Sequence, residues 1–472
     1  MRGIIAYGAY VPYFRLQRSA IGATLGQPGG RGTRSVASYD EDATTMAVEA
    51  GRRLLRSTDV EPSALAFSTA TPPYLDKTNA TAIHAALRLP SNVPAFDMVG
   101  SARSGVGALL GACTSGGTSL VTAADVRTGL PGSADERDGG DGAAALLVGG
   151  DHDGPVIAEF VGSGSATGEF LDRWRTPGSP ASKVWEERFG EHAYLPLVEQ
   201  AMKSAFESSG VDPASVDQVL LTGLSARAVR GSGRVVGQLG EVVEDLSAVI
   251  GNTGTAHPGL LLASVLDRAE PGQTIALVVL ADGCDVLVFR TTEAVASYTS
   301  ADPVADQIAA GNDGLDYPLF LTWRGMLDRE PPRRPDPDRP AAPPAARMED
   351  WKYAFVGSKD RSSGAIHLPP RRVSYEGGAV DEMEPIPMAD VPATIVTFTV
   401  DRLAFSLSPP VVAAVIDFDG GGRFQCEVTD VDPETVKIGD RVEMTFRRLF
   451  TADGVHNYFW KARPSSGTAP AG

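Results

Sequence analysis

The chain has 472 residues, 43% hydrophobic and 21% charged, with 42 Lys and Arg against 59 Asp and Glu for a net charge of −17. That length exceeds one ordinary core, so two or three domains are expected. The acidic balance excludes nucleic acid or a membrane surface as the main partner, because both need a basic footprint. No apolar run approaches the ~18 residues of a membrane span. The opening Met-Arg-Gly-Ile-Ile-Ala-Tyr-Gly lacks a signal peptide's apolar region. Three cysteines, Cys113, Cys284 and Cys426, form no disulfide or metal pattern, so a cytoplasmic protein is expected.

In chain order, apolar strand candidates at 4–7, 64–69, 95–99, 119–123, 144–148, 156–161, 219–222, 275–281 and 285–291 alternate with helix candidates. The helix candidates lie at 44–57, 78–87, 103–113, 193–209, 229–243 and 259–269. This alternation predicts a layered α/β architecture. Asp-Gly-Ala-Ala-Ala-Leu-Leu-Val-Gly-Gly at 141–150 parallels Gly-Cys-Asp-Val-Leu-Val-Phe at 283–289, which suggests two similar halves and a duplicated fold. Residues 95–112 read as a strand, a tight turn and a helix of mostly small residues. Such a helix has poor propensity and needs tertiary packing to hold it. Its start concentrates N–H groups and positive dipole, which suits a thiolate or an anion. The turn, however, carries Ser101, Ala102 and Arg103, and Cys113 lies about three turns further on.

Residues 328–348 form a linker. Seven prolines between 331 and 344 exclude helix or central strand and favour an extended spacer. Beyond it, β-rich runs at 394–400, 411–418, 424–429, 441–449 and 458–462, with turns at Gly420-Gly421-Gly422 and Asp453-Gly454, fit a small barrel such as an OB-fold. Residues 465–472 read as a frayed tail.

Several segments together resemble 3-hydroxy-3-methylglutaryl-CoA synthase of the thiolase superfamily. They are the opening strand at 3–15, the Ala-Asp…Pro-Gly…Gly-Ala-Ala-Ala stretch at 123–145, Arg173-Trp174-Arg175, Glu-Arg-Phe-Gly-Glu-His-Ala-Tyr at 187–194, and Gly251-Asn252 within 250–260. The resemblance implies duplicated thiolase-like α/β/α/β/α layers over 1–327, a coenzyme A thioester as substrate or ligand, and a homodimer. Residues 349–463 resemble the zinc-ribbon plus OB-fold proteins that accompany thiolases. That implies a ribbon at 349–385, an all-β OB-fold domain at 386–464, and a thiolase-family partner.

The departures fall on the chemistry. The family's nucleophilic cysteine aligns with Ala102 or, shifted by one, Ser101; its histidine with Thr222; its acid glutamate with Ala70–Thr71. Claisen-type chemistry needs a nucleophile and a base, and both are missing at these positions. The ribbon's four ligand positions are Asp360, Ser363, Ser374 and Gly377, none of them Cys or His, so no zinc is expected; His367 alone builds no site.

Ser101 is either a replacement nucleophile or a turn or N-cap residue; a hydroxyl needs a nearby general base, and His257 is the candidate. Asn252 either takes the family's oxyanion role or bonds its turn's backbone. His257 is otherwise a capping or surface residue. Arg103 opposes the helix dipole; it pairs with a buried carboxylate or occupies the lost thioester's space. Ala102, Arg103 and Thr222 would then form the floor of a coenzyme A pocket. Cys113 and Cys284 are expected to fill core space. The acidic run 135–141 is expected to be a solvated loop. Arg371-Arg372 and Arg447-Arg448 either touch coenzyme A phosphates or form exposed pairs. Two functions follow: an acyl-CoA-binding, non-catalytic or weakly catalytic partner of a true thiolase, or an acyltransferase or carbon–carbon bond enzyme rebuilt around Ser101, Asn252 and His257.

Overall fold

Small and β-branched apolar residues fill the central strands on both faces, as a doubly covered sheet requires; every residue of Gly142–Gly150 and of Thr274–Leu280 is buried. The computed structural model describes residues 1–335 and 337–465, so the expected tail lies outside the described residues apart from Ser465. The chain forms two units: Met1–Ser38 with Asp42–Thr81 and Pro90–Met326, and Tyr39–Glu41 with Ala82–Leu89 and Leu327–Gly472.

In the first unit, ten strands make one sheet. The first half supplies β1 (Arg2–Tyr10), β2 (Ala64–Thr69), β3 (Ala95–Val99), β4 (Ser119–Asp125) and β5 (Gly142–Gly150). The second half supplies β6 (Ala158–Thr167), β7 (Gln218–Gly223), β8 (Glu241–Val242), β9 (Thr274–Leu280) and β10 (Gly283–Thr291). From the middle outward the orders are β1-β5-β4-β2-β3 and β6-β10-β9-β7-β8, the same topology twice. β1 and β6 meet antiparallel at Gly3–Glu159 and Ile4–Ala158. The two stretches matched by sequence, β5 and β10, occupy equivalent places beside that seam.

The α1 helix (Ala43–Leu55) starts with an Asp42 capping box and is buried along nearly its whole length. Helices α2 (Arg103–Thr114) and α5 (His257–Leu266) share one apolar core with strands of both halves. The small residues of α2 are explained there. A Cβ at Gly105 would come 2.7 Å from the Thr255 carbonyl oxygen, so the helix approaches the second half too closely for larger side chains. Helices α3 (Glu187–Ser209) and α4 (Ala226–Val236) cover a second core. Cys113 and Cys284 are buried thiols whose pKa burial pushes up to about 12, as space-filling requires.

In the second unit, a three-stranded sheet of Val356–Asp360, Ile366–His367 and Met383–Pro387 precedes a closed barrel. Its strands are β11 (Ala393–Asp401), β12 (Val411–Phe418), β13 (Arg423–Val428), β14 (Arg441–Ala452) and β15 (Val455–Pro464), in the OB-fold order β11-β12-β13-β15-β14. Strict alternation of burial along β12 turns one face inward, towards an aromatic core that includes Phe446 and Trp460.

Three expectations are corrected. Residues Ala342–Arg347 form a short helix although the prolines were expected to forbid one, because Pro343 and Pro344 sit in its first turn, where their missing N–H groups are harmless. The acidic run 135–141 is not a solvated loop. Glu136 and Asp141 are fully buried, Glu136 held by the Tyr317 hydroxyl and Asp141 paired with Arg34 at 3.3 Å and with Arg324. Arg447 is not an exposed cation either; it is fully buried within the second unit and paired with Asp430 and, at 2.9 Å, with Glu41.

Candidate functional site

Strands β2, β3 and β4 run parallel, so their carboxyl ends open on one side of the sheet, where α/β folds place ligands. There the first unit holds a cavity of about 550 Å³. It is lined by Ala70 and Thr71 after β2, Ser101 and Ala102 at the head of α2, Arg127 after β4, and Asp172–Arg175, Tyr194 and Asp282 from the second half. The positions where the resemblance puts the nucleophile and the acid therefore do share one cavity.

Asp125 builds this corner. Fully buried at the end of β4, its carboxylate accepts from the Thr69 hydroxyl at 2.9 Å, the Ala70 N–H at 2.7 Å and the Thr255 N–H at 2.7 Å. Gly254, at φ +63° beside it, leaves room for the carboxylate; a Cβ there would overlap an Asp125 oxygen.

The residues singled out from sequence separate into different environments. Ala102 is the N-cap position of α2 and offers no side-chain cap. Ser101 does not cap the helix, and among the described residues its hydroxyl has no hydrogen-bond partner, hence no base to activate it. Arg103 is not among the residues that line the cavity. It grips Asp285 through two bonds of 2.8 and 3.1 Å and donates to the Asp282 carbonyl, which decides in favour of the buried-carboxylate alternative. Asn252 and Thr222 lie together, with Asn252 Nδ2 3.4 Å from the Thr222 hydroxyl and 3.1 Å from the Gly223 carbonyl oxygen. The Asn252 side-chain oxygen accepts from the Gly254 N–H at 2.9 Å, so the amide braces its turn.

His257 is fully buried. Its Nδ1 accepts from the Thr253 N–H at 3.2 Å, which leaves the proton on Nε2 to donate to the Asp245 carbonyl 2.8 Å away. Burial lowers its pKa and keeps the ring neutral. Neither nitrogen is available to Ser101. Ser101, Asn252 and His257 do not assemble into one catalytic constellation.

Sequence reasoning missed the polar groups that do face the cavity. Asp172 is buried, which pushes its carboxyl pKa up, with Asp282 adding to the effect, while the Tyr194 hydroxyl donates to it. Arg127 lines both this cavity and an adjoining one of about 460 Å³ that includes Asn252. Arg173 pairs with Asp135 at 2.6 Å, and Arg175 donates to the Ala70 carbonyl. The Arg173–Arg175 stretch was visible as a motif, but which of its groups were already engaged was not.

In the second unit, three of the four expected ribbon-ligand positions do converge, through hydrogen bonds. Asp360 accepts from the Ser363 hydroxyl at 2.7 Å, the Ser362 N–H at 2.9 Å and the Ser374 hydroxyl. These bonds hold its pKa well below the usual carboxylate range. Hydroxyls around one already saturated carboxylate do not make the four-donor thiolate or imidazole set that structural zinc requires.

A family model described as the C-terminal OB-fold domain of ChsH2 matches residues 386–447. Hydroxymethylglutaryl-CoA synthase of Pyrobaculum aerophilum is 30% identical over 345 residues, which cover 69% of this chain and 98% of that protein. Among solved structures, HMG-CoA synthase complexed with CoA aligns with a TM-score of 0.57 at 18% identity, over 68% of this chain and 89% of that one. The 3-oxoacyl-(acyl carrier protein) synthase III FabH of Pseudomonas aeruginosa PAO1 aligns at 0.54 and 18% identity, over 62% and 98%. At such identities the structural likeness speaks for the fold. Together with the twice-repeated strand order and the closed barrel, the sequence match shows that the chain belongs to the hydroxymethylglutaryl-CoA synthase family and carries a C-terminal OB-fold domain.

Proposed function

We propose that the protein binds acyl-CoA thioesters in the cavity at the head of α2 without forming the family's covalent acyl intermediate. One observation carries this reading: Ala102 heads the helix where a thiol would stand, and the neighbouring Ser101 hydroxyl has no base, because His257 has both nitrogens engaged elsewhere. The remaining architecture favours binding, since the cavity sits at the strand carboxyl ends with a helix start and cationic side chains on its wall. In this reading the protein is the partner of a catalytically complete thiolase-family protein, its OB-fold unit handles the coenzyme A moiety, and neither zinc nor another cofactor is used. Self-association would use the edge strand β3, which exposes Phe96, Met98 and Val99. Among the described residues no helix is long and apolar enough to cross a membrane; the cytoplasm is the proposed location.

A second reading is an enzyme with a rebuilt site, which Asp172 favours: a carboxyl with a raised pKa facing the cavity is suited to acid–base work. Calorimetric titration of acyl-CoA, followed by turnover assays alone and with a thiolase, separates the two. Binding without turnover of its own supports the first reading. Turnover by the isolated chain that Asp172→Asn abolishes supports the second.

A further inference from the structure

The second unit holds a cavity of its own, about 560 Å³, between its three-stranded sheet and the β12–β13 hairpin. That volume falls within the range of small-molecule sites, about 300–1,000 Å³. Ile366, Leu368, Pro369 and Phe418 give it an apolar wall. Gly422 keeps it open: a Cβ there would come 3.1 Å from Ile366 Cγ2 and 3.3 Å from Leu368 Cδ1, so a side chain would stand against that wall. Two polar side chains of the lining have no partner among the described residues. His367 is only 6% exposed, and its Nε2 is buried without a hydrogen bond. The Tyr375 ring packs edge-on against the imidazole, with centroids 4.7 Å apart. Arg371 is anchored through its backbone, whose N–H donates to the Ser358 hydroxyl at 2.8 Å, while its guanidinium makes no hydrogen bond or ion pair. The carboxylate that shares the lining does not serve it, because Arg423 holds Asp417 with two bonds of 2.6 and 2.7 Å. The neighbouring Arg372 is engaged in the same way by Asp381.

We infer that this second cavity binds a free organic monocarboxylate with an aromatic or broad apolar body, its carboxylate on Arg371 and His367 and its body against Ile366, Leu368 and Phe418. A guanidinium presents a planar fork of donors that matches a carboxylate with two parallel bonds. The buried imidazole nitrogen is a costly atom to leave unpaired, and a ligand oxygen that meets it removes that cost. One uncommitted guanidinium suits one negative charge. A phosphate dianion brings a second charge, and the other arginine of the lining, Arg423, is already paired. The inference is independent of the thioester reading, since the two cavities belong to different units.

The test is calorimetric titration of the full chain with 1-naphthoate, 1-naphthylmethanol and 1-naphthyl phosphate, for the native protein, Arg371→Gln and His367→Phe. The native protein is expected to bind 1-naphthoate saturably at one site, more tightly than the neutral alcohol or the phosphate. Saturating coenzyme A should leave that binding unchanged. Arg371→Gln should weaken 1-naphthoate by about 10- to 100-fold, the range for hydrogen bonds to a charged group. The alcohol's affinity should stay the same, which also reports that the variant is folded. His367→Phe keeps a flat ring and removes the unpaired nitrogen. It should weaken 1-naphthoate by about 3- to 10-fold without lowering the melting temperature. Tighter binding of the phosphate, or displacement of 1-naphthoate by coenzyme A, would assign the cavity to a phosphate ligand and overturn the proposal. Absence of saturable 1-naphthoate binding, or an affinity that neither variant changes, would overturn it as well.

Discussion

The head of α2 and the corner around Asp360 are both places where the family resemblances put sulfur ligands or nucleophiles and this chain has none, yet they are filled in opposite ways. At Asp360, hydroxyls and a backbone N–H close on one carboxylate. At the helix head, the Ser101 hydroxyl has no hydrogen-bond partner among the described residues and lies on the cavity wall. A position kept only for stability tends to satisfy its polar groups internally, because unpaired buried ones are costly. Groups left unpaired beside a cavity are free to meet a ligand. On the binding reading proposed above, the contrast separates a structural replacement from a retained binding site.

The sharpest way to break this contrast is to disturb what shapes the open site. Asp125→Ala removes a buried acceptor and strands the Ala70 and Thr255 N–H groups, so it should cost about 3–5 kcal/mol in urea denaturation of the first unit. A loss below 1 kcal/mol, by the same principle, would mean the corner is not built on Asp125. Arg103→Ala leaves the buried Asp285 carboxylate without its two-bond partner. A loss of about 1–3 kcal/mol with thioester affinity unchanged is expected; a large fall in affinity would return Arg103 to the pocket.

The pH dependence of the two regions should also differ. His257 is held neutral by burial, so its folded pKa lies below its unfolded value. Its contribution is therefore fully present above the unfolded pKa and is lost as pH falls below about 6.5, by up to ~1.4 kcal/mol per pH unit. Thermal melts of the native protein and His257→Gln between pH 5 and 8 should show a shallower slope for the variant. Asp360 is likewise held below its unfolded pKa. Its contribution persists across that whole range and fades only as pH drops below the usual carboxylate value of about 4. Asp360→Ala should lower the second unit's melting temperature, and chelators should not; a chelator-sensitive transition would contradict the hydrogen-bonded corner. The smallest expected effect is at Ser101→Ala, which should leave both stability and thioester affinity unchanged.

Much of the fold was legible because its signals are local or repeated. Alternating apolar runs, turn glycines and the likeness of β5 to β10 depend on neighbours in sequence. The site was legible only in outline. The Ala-Asp stretch and the missing cysteine fall beside one cavity, but the state of each polar group depends on partners far along the chain. Asp141 reads as one acid in a loop until Arg34 and Arg324 close on it from 107 and 183 residues away. His257 reads as a base until Asp245 and Thr253 occupy both nitrogens.

The central claim is that the cavity binds acyl-CoA without acylation of the protein, and intact-mass measurement after incubation with excess acyl-CoA tests it most directly. Saturable binding in parallel calorimetry with an unchanged protein mass is the expected result. A mass increase equal to one acyl group, lost in Ser101→Ala, would contradict it.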